Sequence, residues 1–177
     1  MAEGKKNIKK SFFEVKAPFT ATKIQIYGNS AEEMEGKVVK LDLTRSLRGK
    51  SLELKMKIKN ENGVLTAEPV SVELVGSYVR RMMRAGADYV EDSFNAECKD
   101  VKVVIKPFMI TRNKVSRAVR AELRNTAKKH LESYLKTRTS KEIFADITTN
   151  KIQKDLSLKL KKIYPLALCE IRIFRLI

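Results

Sequence analysis

Between residues 52 and 59 apolar and charged side chains alternate without a break: Leu52, Leu54, Met56 and Ile58 against Glu53, Lys55, Lys57 and Lys59. Only an extended chain sorts such a run onto two faces, because side chains alternate along a strand but recur every three to four residues along a helix. The apolar row must be covered and the charged row wetted. The segment therefore belongs to a sheet with one buried side, of the kind antiparallel strands build. Residues 60–63 end in Gly63 and close a hairpin, and residues 64–75 return as its second strand, with Pro69 marking a bulge or an edge.

The same reading extends over the first two thirds of the chain. Ile24 and Ile26 alternate with Lys23 and Gln25, and Gly28, Asn29 and Ser30 make a turn. Residues 36–43 follow as a strand with Val39, Leu41 and Leu43 inward, and a polar loop covers residues 45–50. A short helix over residues 77–85 turns Val79, Met82 and Met83 inward and Arg80, Arg81 and Arg84 outward, with Gly86 as its stop. Residues 88–98 and 101–111 read as a hairpin joined at Lys99 and Asp100. After Arg112 the period lengthens to about 3.6 residues. Val115, Val119, Leu123, Leu131 and Tyr134 then form one stripe of a helix over residues 114–136. Shorter helices over residues 140–147 and 149–160 lead to a last strand, residues 166–176, placed to close the sheet. The class is α+β: a mainly antiparallel sheet or partly closed β-barrel, flanked by a long basic amphipathic helix and shorter helices. Residues 1–12 read as a flexible basic arm and residues 13–177 as a single domain.

Charge narrows the partner. Among 177 residues, 37 Lys and Arg face 21 Asp and Glu, a formal charge of +16, while 43% of residues are hydrophobic. That is too apolar for a disordered basic tail, and a folded body so positive calls for a polyanion. Nucleic acid leads and an anionic membrane surface follows; charge alone does not separate RNA from DNA. No apolar run approaches the roughly 20 residues of a membrane helix, and no apolar stretch follows the first lysines as in a signal peptide. Cys98 and Cys169 stand apart from other metal-binding residues and read as small core residues of a reducing compartment. A soluble intracellular protein is the expectation.

The long helix carries the sharpest feature. Arg117, Arg120, Arg124 and Lys128 are spaced by three, four and four residues, a single ridge lying roughly 110 degrees around the helix from the apolar stripe. An ordinary solvated face mixes signs through pairs four residues apart, whereas Glu122 and Glu132 lie off this ridge. Further cations suited to phosphates are Lys5, Lys6, Lys9 and Lys10 of the arm and Lys55, Lys57 and Lys59 on one strand face, roughly 7 Å apart. Arg45, Arg48 and Lys50 of the loop extend the supply, as do Lys114 and Lys159, Lys161 and Lys162. Phe12, Phe13, Phe19 and Tyr27 are the aromatic candidates for stacking. Catalysis has little to stand on. His130 is the only histidine and lacks an evident partner. Strand alternation separates Asp88 and Asp92 from Glu91 and Glu97, so no carboxylate set converges on a metal, and no cofactor or small-molecule substrate is expected.

Five segments follow one another along the chain: Val15-Lys16-Ala17-Pro18, Gly36-Lys37-Val38 leading to Leu41-Asp42-Leu43, Ser116-Arg117-Ala118-Val119-Arg120, Ile163-Tyr164-Pro165-Leu166 and Ile171-Arg172. In order and spacing they resemble the archaeal and eukaryotic small-subunit ribosomal protein family eS1, also called S3Ae. The resemblance covers nearly the whole chain. It implies a non-catalytic protein of the cytoplasmic ribosome, bound to small-subunit rRNA on the platform near the mRNA exit channel and the rRNA 3′ end, with ribosomal proteins as neighbours. It matches Lys16, Arg112, Arg117 and Arg120 to basic positions of the family pattern. Long terminal extensions of eukaryotic members are missing, which implies an archaeal-type member. The alternative carried beside it is a free-standing RNA-binding chaperone or regulator.

Overall fold

The computed structural model describes residues 10–17, 24–47, 49–61 and 63–177. It shows a mixed α+β fold with a nine-stranded, mostly antiparallel sheet and five helices among the described residues. The chain divides into two compact units. The first contains the described residues of Met1–Lys40 and Lys55–Pro69, and the second contains Leu41–Leu54 and Val70–Ile177.

In the first unit, β1 (Ser11–Lys16) pairs antiparallel with β2 (Ile24–Gly28), from Ser11 opposite Gly28 to Val15 opposite Ile24. β1 thus begins two residues inside the range read as arm. Helix α1 (Ala31–Met34) follows, capped by the Ser30 hydroxyl, which accepts from the Glu33 amide. Its Met34 packs where a side chain on Gly28 would stand, its Cε only 1.5 Å from that position. Then come β3 (Val38–Asp42), β4 (Leu52–Glu61) and β5 (Val64–Leu74). The alternation that opened the sequence reading is realised: Met56 and Ile58 are fully buried and Lys57 and Lys59 exposed. Gly63 turns the hairpin at a φ of 85, with its amide on the Asn60 side-chain oxygen. β5 runs parallel to β1 at Leu65 and Thr66. Pro69, which has no amide hydrogen to donate, lies between those residues and the stretch paired to the last strand.

The second unit adds α2 (Gly76–Met82), β6 (Tyr89–Glu91), β7 (Phe94–Glu97), β8 (Lys102–Thr111), α3 (Arg117–Lys136), α4 (Ser140–Thr148), α5 (Lys151–Leu160) and β9 (Leu166–Leu176). Its strand path is β5-β9-β8-β6, with β7 also on β8. In neither unit does the path of paired strands return on itself among the described residues. β9 matches its expected limits and lies between β5 and β8, joining the two strands. The strand expected over residues 88–98 is two, and Pro107 explains why. Asp92 stands opposite Pro107, which accepts from its amide but cannot donate in return, so the ladder to β8 breaks between Glu91 and Phe94. On its other side β8 slips register against β9 between Lys106 and Pro107.

Helix α3 packs on β6, β7 and α5. It buries Leu123, Ala127, Leu131 and Leu135, so the apolar stripe runs through Ala127 and Leu135, while Val119 and Tyr134 are half-buried at its margin and Val115 precedes the helix. Each fully buried leucine contributes about 1.5–3 kcal/mol. Phe144 of α4 meets Phe174 of β9 edge to face, centroids 4.9 Å apart. Lys50, read as a loop cation, is instead buried: its ammonium donates to Glu170 of β9 and to Asn150, the left-handed residue between α4 and α5. Both cysteines are half-buried, and burial raises their thiols, Cys169 to about 12.

Removing one member of a buried ion pair strands the other. Glu170→Ala is therefore expected to cost about 3–5 kcal/mol in urea unfolding. Glu97→Ala, which breaks the exposed pair with Lys102, is expected to cost under about 1 kcal/mol.

Candidate nucleic-acid interface

The entry to α3 is built by a polar knot at the start of β6 and the end of β8. Thr111, fully buried, donates its amide to the Asp88 carbonyl at 2.9 Å and accepts the Asp88 amide on its hydroxyl at 3.0 Å. That hydroxyl has the Asn113 carbonyl as an acceptor at 2.7 Å. The Asp88 carboxylate then takes the Val115 amide at 3.0 Å, and Ser116 caps the helix by accepting from Val119. The residue that follows Asp88 is Tyr89, so the same knot sets Tyr89 beside the first turns of α3.

That helix begins with the wrong charge for its dipole. Its first turn contains no acidic residue, while Arg117 and Arg120 stand at the end where unsatisfied amides already carry partial positive charge. Each misplaced cation is unfavourable by about 0.3–1 kcal/mol, and a bound anion reverses the sign. Among the described residues, none of Arg117, Arg120 and Arg124 has an ion-pair partner. The three line one groove of about 280 Å³ together with Tyr89, Val90 and Ala121. Lys128 continues the ridge, exposed, with its ammonium 5.6 Å from the centre of the Phe94 ring. Arg112 and Lys114 are exposed in the connection leading into α3, and Arg112 shares a second groove with Arg84.

Other cations are occupied or stand elsewhere. Arg172 pairs with Glu91, Arg138 with Asp146 and Lys59 with Glu68. Lys55 is half-buried, so of the expected strand strip Lys57 alone is both exposed and outside a described ion pair. Lys10 and Lys16 are exposed on the first unit, where Phe12 and Tyr27 are also exposed with ring centroids 5.0 Å apart. Arg45 is exposed on the turn after β3. Lys5, Lys6, Lys9, Arg48 and Phe19 lie outside the described residues. Tyr89 is a residue that the sequence pattern did not single out, and it is 58% exposed beside Arg117, Arg120 and Arg124.

No catalytic arrangement is assembled from the candidates. His130 is half-buried against Tyr134, its Nδ1 without a partner, and burial followed by the charge of Lys159 holds its pKa below the usual range. Asp88 and Glu91 serve the knot and Arg172. Among the described residues no group of three His, Cys, Asp or Glu side chains is placed to hold a metal. No helix among them is long and apolar enough to cross a membrane.

The ribosomal S3Ae family matches residues 4–177 of the chain. Two archaeal proteins, both small ribosomal subunit protein eS1, are similar to it. The one from Methanothermobacter thermautotrophicus is 29% identical over 132 residues, 73% of this chain and 68% of the relative. The one from Nanoarchaeum equitans is 26% identical over 176 residues, 95% of this chain and 89% of the relative.

The knot makes a local prediction. Thr111→Val keeps the shape but removes the hydroxyl, leaving the Asp88 amide unsatisfied, and should lower stability to urea by about 1–3 kcal/mol. Amide hydrogen exchange should rise at Val115 and the first turn of α3 more than in β9.

Proposed function

The chain belongs to the ribosomal S3Ae family and is a structural protein of the small ribosomal subunit, and on that premise we propose that it holds small-subunit rRNA through the cationic face of α3. The observation that carries the proposal is the groove in which Arg117, Arg120 and Arg124 converge without partners at a helix start that favours anions. Phosphates there neutralise charge that the fold leaves uncompensated, and Arg offers the planar, multi-donor geometry that phosphate oxygens accept. Arg112, Lys114 and Lys128 extend the track at either end. Lys16, Lys10 and Lys57, with Lys5, Lys6 and Lys9 of the arm and Arg45 and Arg48 of the loop, are further contacts in this reading.

The location follows the family resemblance: the platform of the cytoplasmic small subunit near the mRNA exit channel and the rRNA 3′ end, beside other small-subunit proteins. The work is scaffolding. A rigid sheet fixes where the arginines stand, and the arginines lock a local RNA conformation. Neither a membrane nor a small-molecule substrate has a part in it.

The test is charge reversal. Arg117→Glu, Arg120→Glu and Arg124→Glu together should abolish assembly into the small subunit while the isolated protein keeps its helical content and unfolds at or above the wild-type midpoint, since acidic residues suit the start of α3. For the free protein, losing three phosphate contacts should flatten the dependence of log affinity on log salt by about 2. Normal assembly of the triple variant contradicts the proposal. Free exchange of the wild-type protein off purified subunits in moderate salt supports the chaperone or regulator instead.

A further inference from the structure

We propose that Tyr89 is a base-stacking platform, so that the groove between β6 and α3 takes an unpaired nucleotide rather than a stretch of duplex. The inference deepens the rRNA-binding reading of α3 and rests on it. Tyr89 lies in β6 opposite Ile110, with its neighbour Val90 buried while Tyr89 itself is 58% exposed. It lines two grooves at once. One holds Arg117, Arg120 and Arg124; the other, of about 420 Å³, holds Arg80, Arg172 and Phe108. Phe108 supports the ring from the sheet side, with centroids 6.3 Å apart.

Tyr89 differs from other aromatic residues of this unit in what covers it. Tyr78, Phe94 and Tyr134 each have a cation over the ring, from Arg81, Lys128 and Arg138. Tyr89 has none among the described residues, although three arginines line its groove. The cations stand around an open aromatic face instead of occupying it. A flat, uncharged π surface with the guanidinium groups of Arg117, Arg120 and Arg124 along one side matches the two halves of a nucleotide, with the base on the ring and the phosphate among the arginines. Bases inside a duplex are already stacked and cannot present a face. Arg117 to Arg124 spans roughly 10 Å of helix, room for phosphates on both sides of one extruded base.

The test uses a single-stranded RNA of about ten nucleotides with one 2-aminopurine, whose fluorescence falls on stacking, and a blunt duplex of the same sequence. With the full chain, wild type should quench the probe and Tyr89→Phe should do the same. Tyr89→Ala should lose the quenching and bind the single strand roughly ten-fold more weakly, with an unchanged salt slope and unfolding midpoint. Duplex affinity should not move. Wild-type quenching and affinity in Tyr89→Ala overturn the stacking platform. The rRNA-binding reading survives that result if the Arg117, Arg120 and Arg124 reversal still loses salt-dependent binding; if the reversal also binds as wild type, both fail.

Discussion

The second unit depends on β8. One edge of this strand carries β9, from Val103 opposite Leu176 to Thr111 opposite Leu166, and the other carries β6 and β7. Val103, Ile105, Phe108, Met109 and Ile110 are all nearly inaccessible, so burial and hydrogen bonding coincide along one line. Both ends of β8 also hold α3. At the far end Thr111 and Asp88 tie down the helix start. At the near end, in the turn before β8, the Lys99 amide reaches the Arg138 carbonyl just past α3, and Asp100 accepts from the backbone and hydroxyl of Ser140. Burial, the largest single influence, raises the Asp100 pKa, but the hydrogen bonds from Ser140 together with those from the Asp100 and Val101 backbone hold the carboxyl below its usual range. A helix fixed at both ends to one strand presents its outer side chains in a set position. Three helices separate β8 from β9 along the chain, so their pairing is a non-local closure of the kind that slows folding.

Electrostatics divides the cations into two populations. Lys50, Arg138 and Arg172 are used within the protein, each joined to a carboxylate that fastens one element to another. Arg117, Arg120 and Arg124 are not used, and they sit together where the helix dipole makes them least comfortable. A chain of formal charge +16 tolerates such self-repulsion when a polyanion relieves it. Lys50, Thr111 and Asp100 are each matched by partners within the unit while the arginines on this face are unmatched, and on the proposed function that contrast is what a polyanion at this face would relieve.

Local pattern made most elements legible. The alternation at residues 52–59 and the three-to-four spacing after Arg112 survive in the structure, and β9 has the limits that its composition implies. Three-dimensional placement was not legible. Nothing near Lys50 in sequence announces Glu170, and nothing in the β9 pattern names β5 and β8 as its neighbours, because both are settled by distant segments. Pro107 was visible as a proline within a strand, yet its effect falls on a neighbouring strand, dividing β6 from β7. The arginine ridge was readable from spacing alone. Tyr89 was not, since an aromatic residue in a strand is buried or exposed according to what lies over it, and here the cover stops short.

In the proposed function rRNA lies against the groove between β6 and α3. Ultraviolet crosslinking of intact small subunits, followed by identification of peptides that retain a nucleotide, tests it most directly. Crosslinks are expected at Tyr89 and within residues 112–124, to nucleotides that are unpaired in the particle. Efficient crosslinks elsewhere on the protein, with none in those two segments, would contradict it.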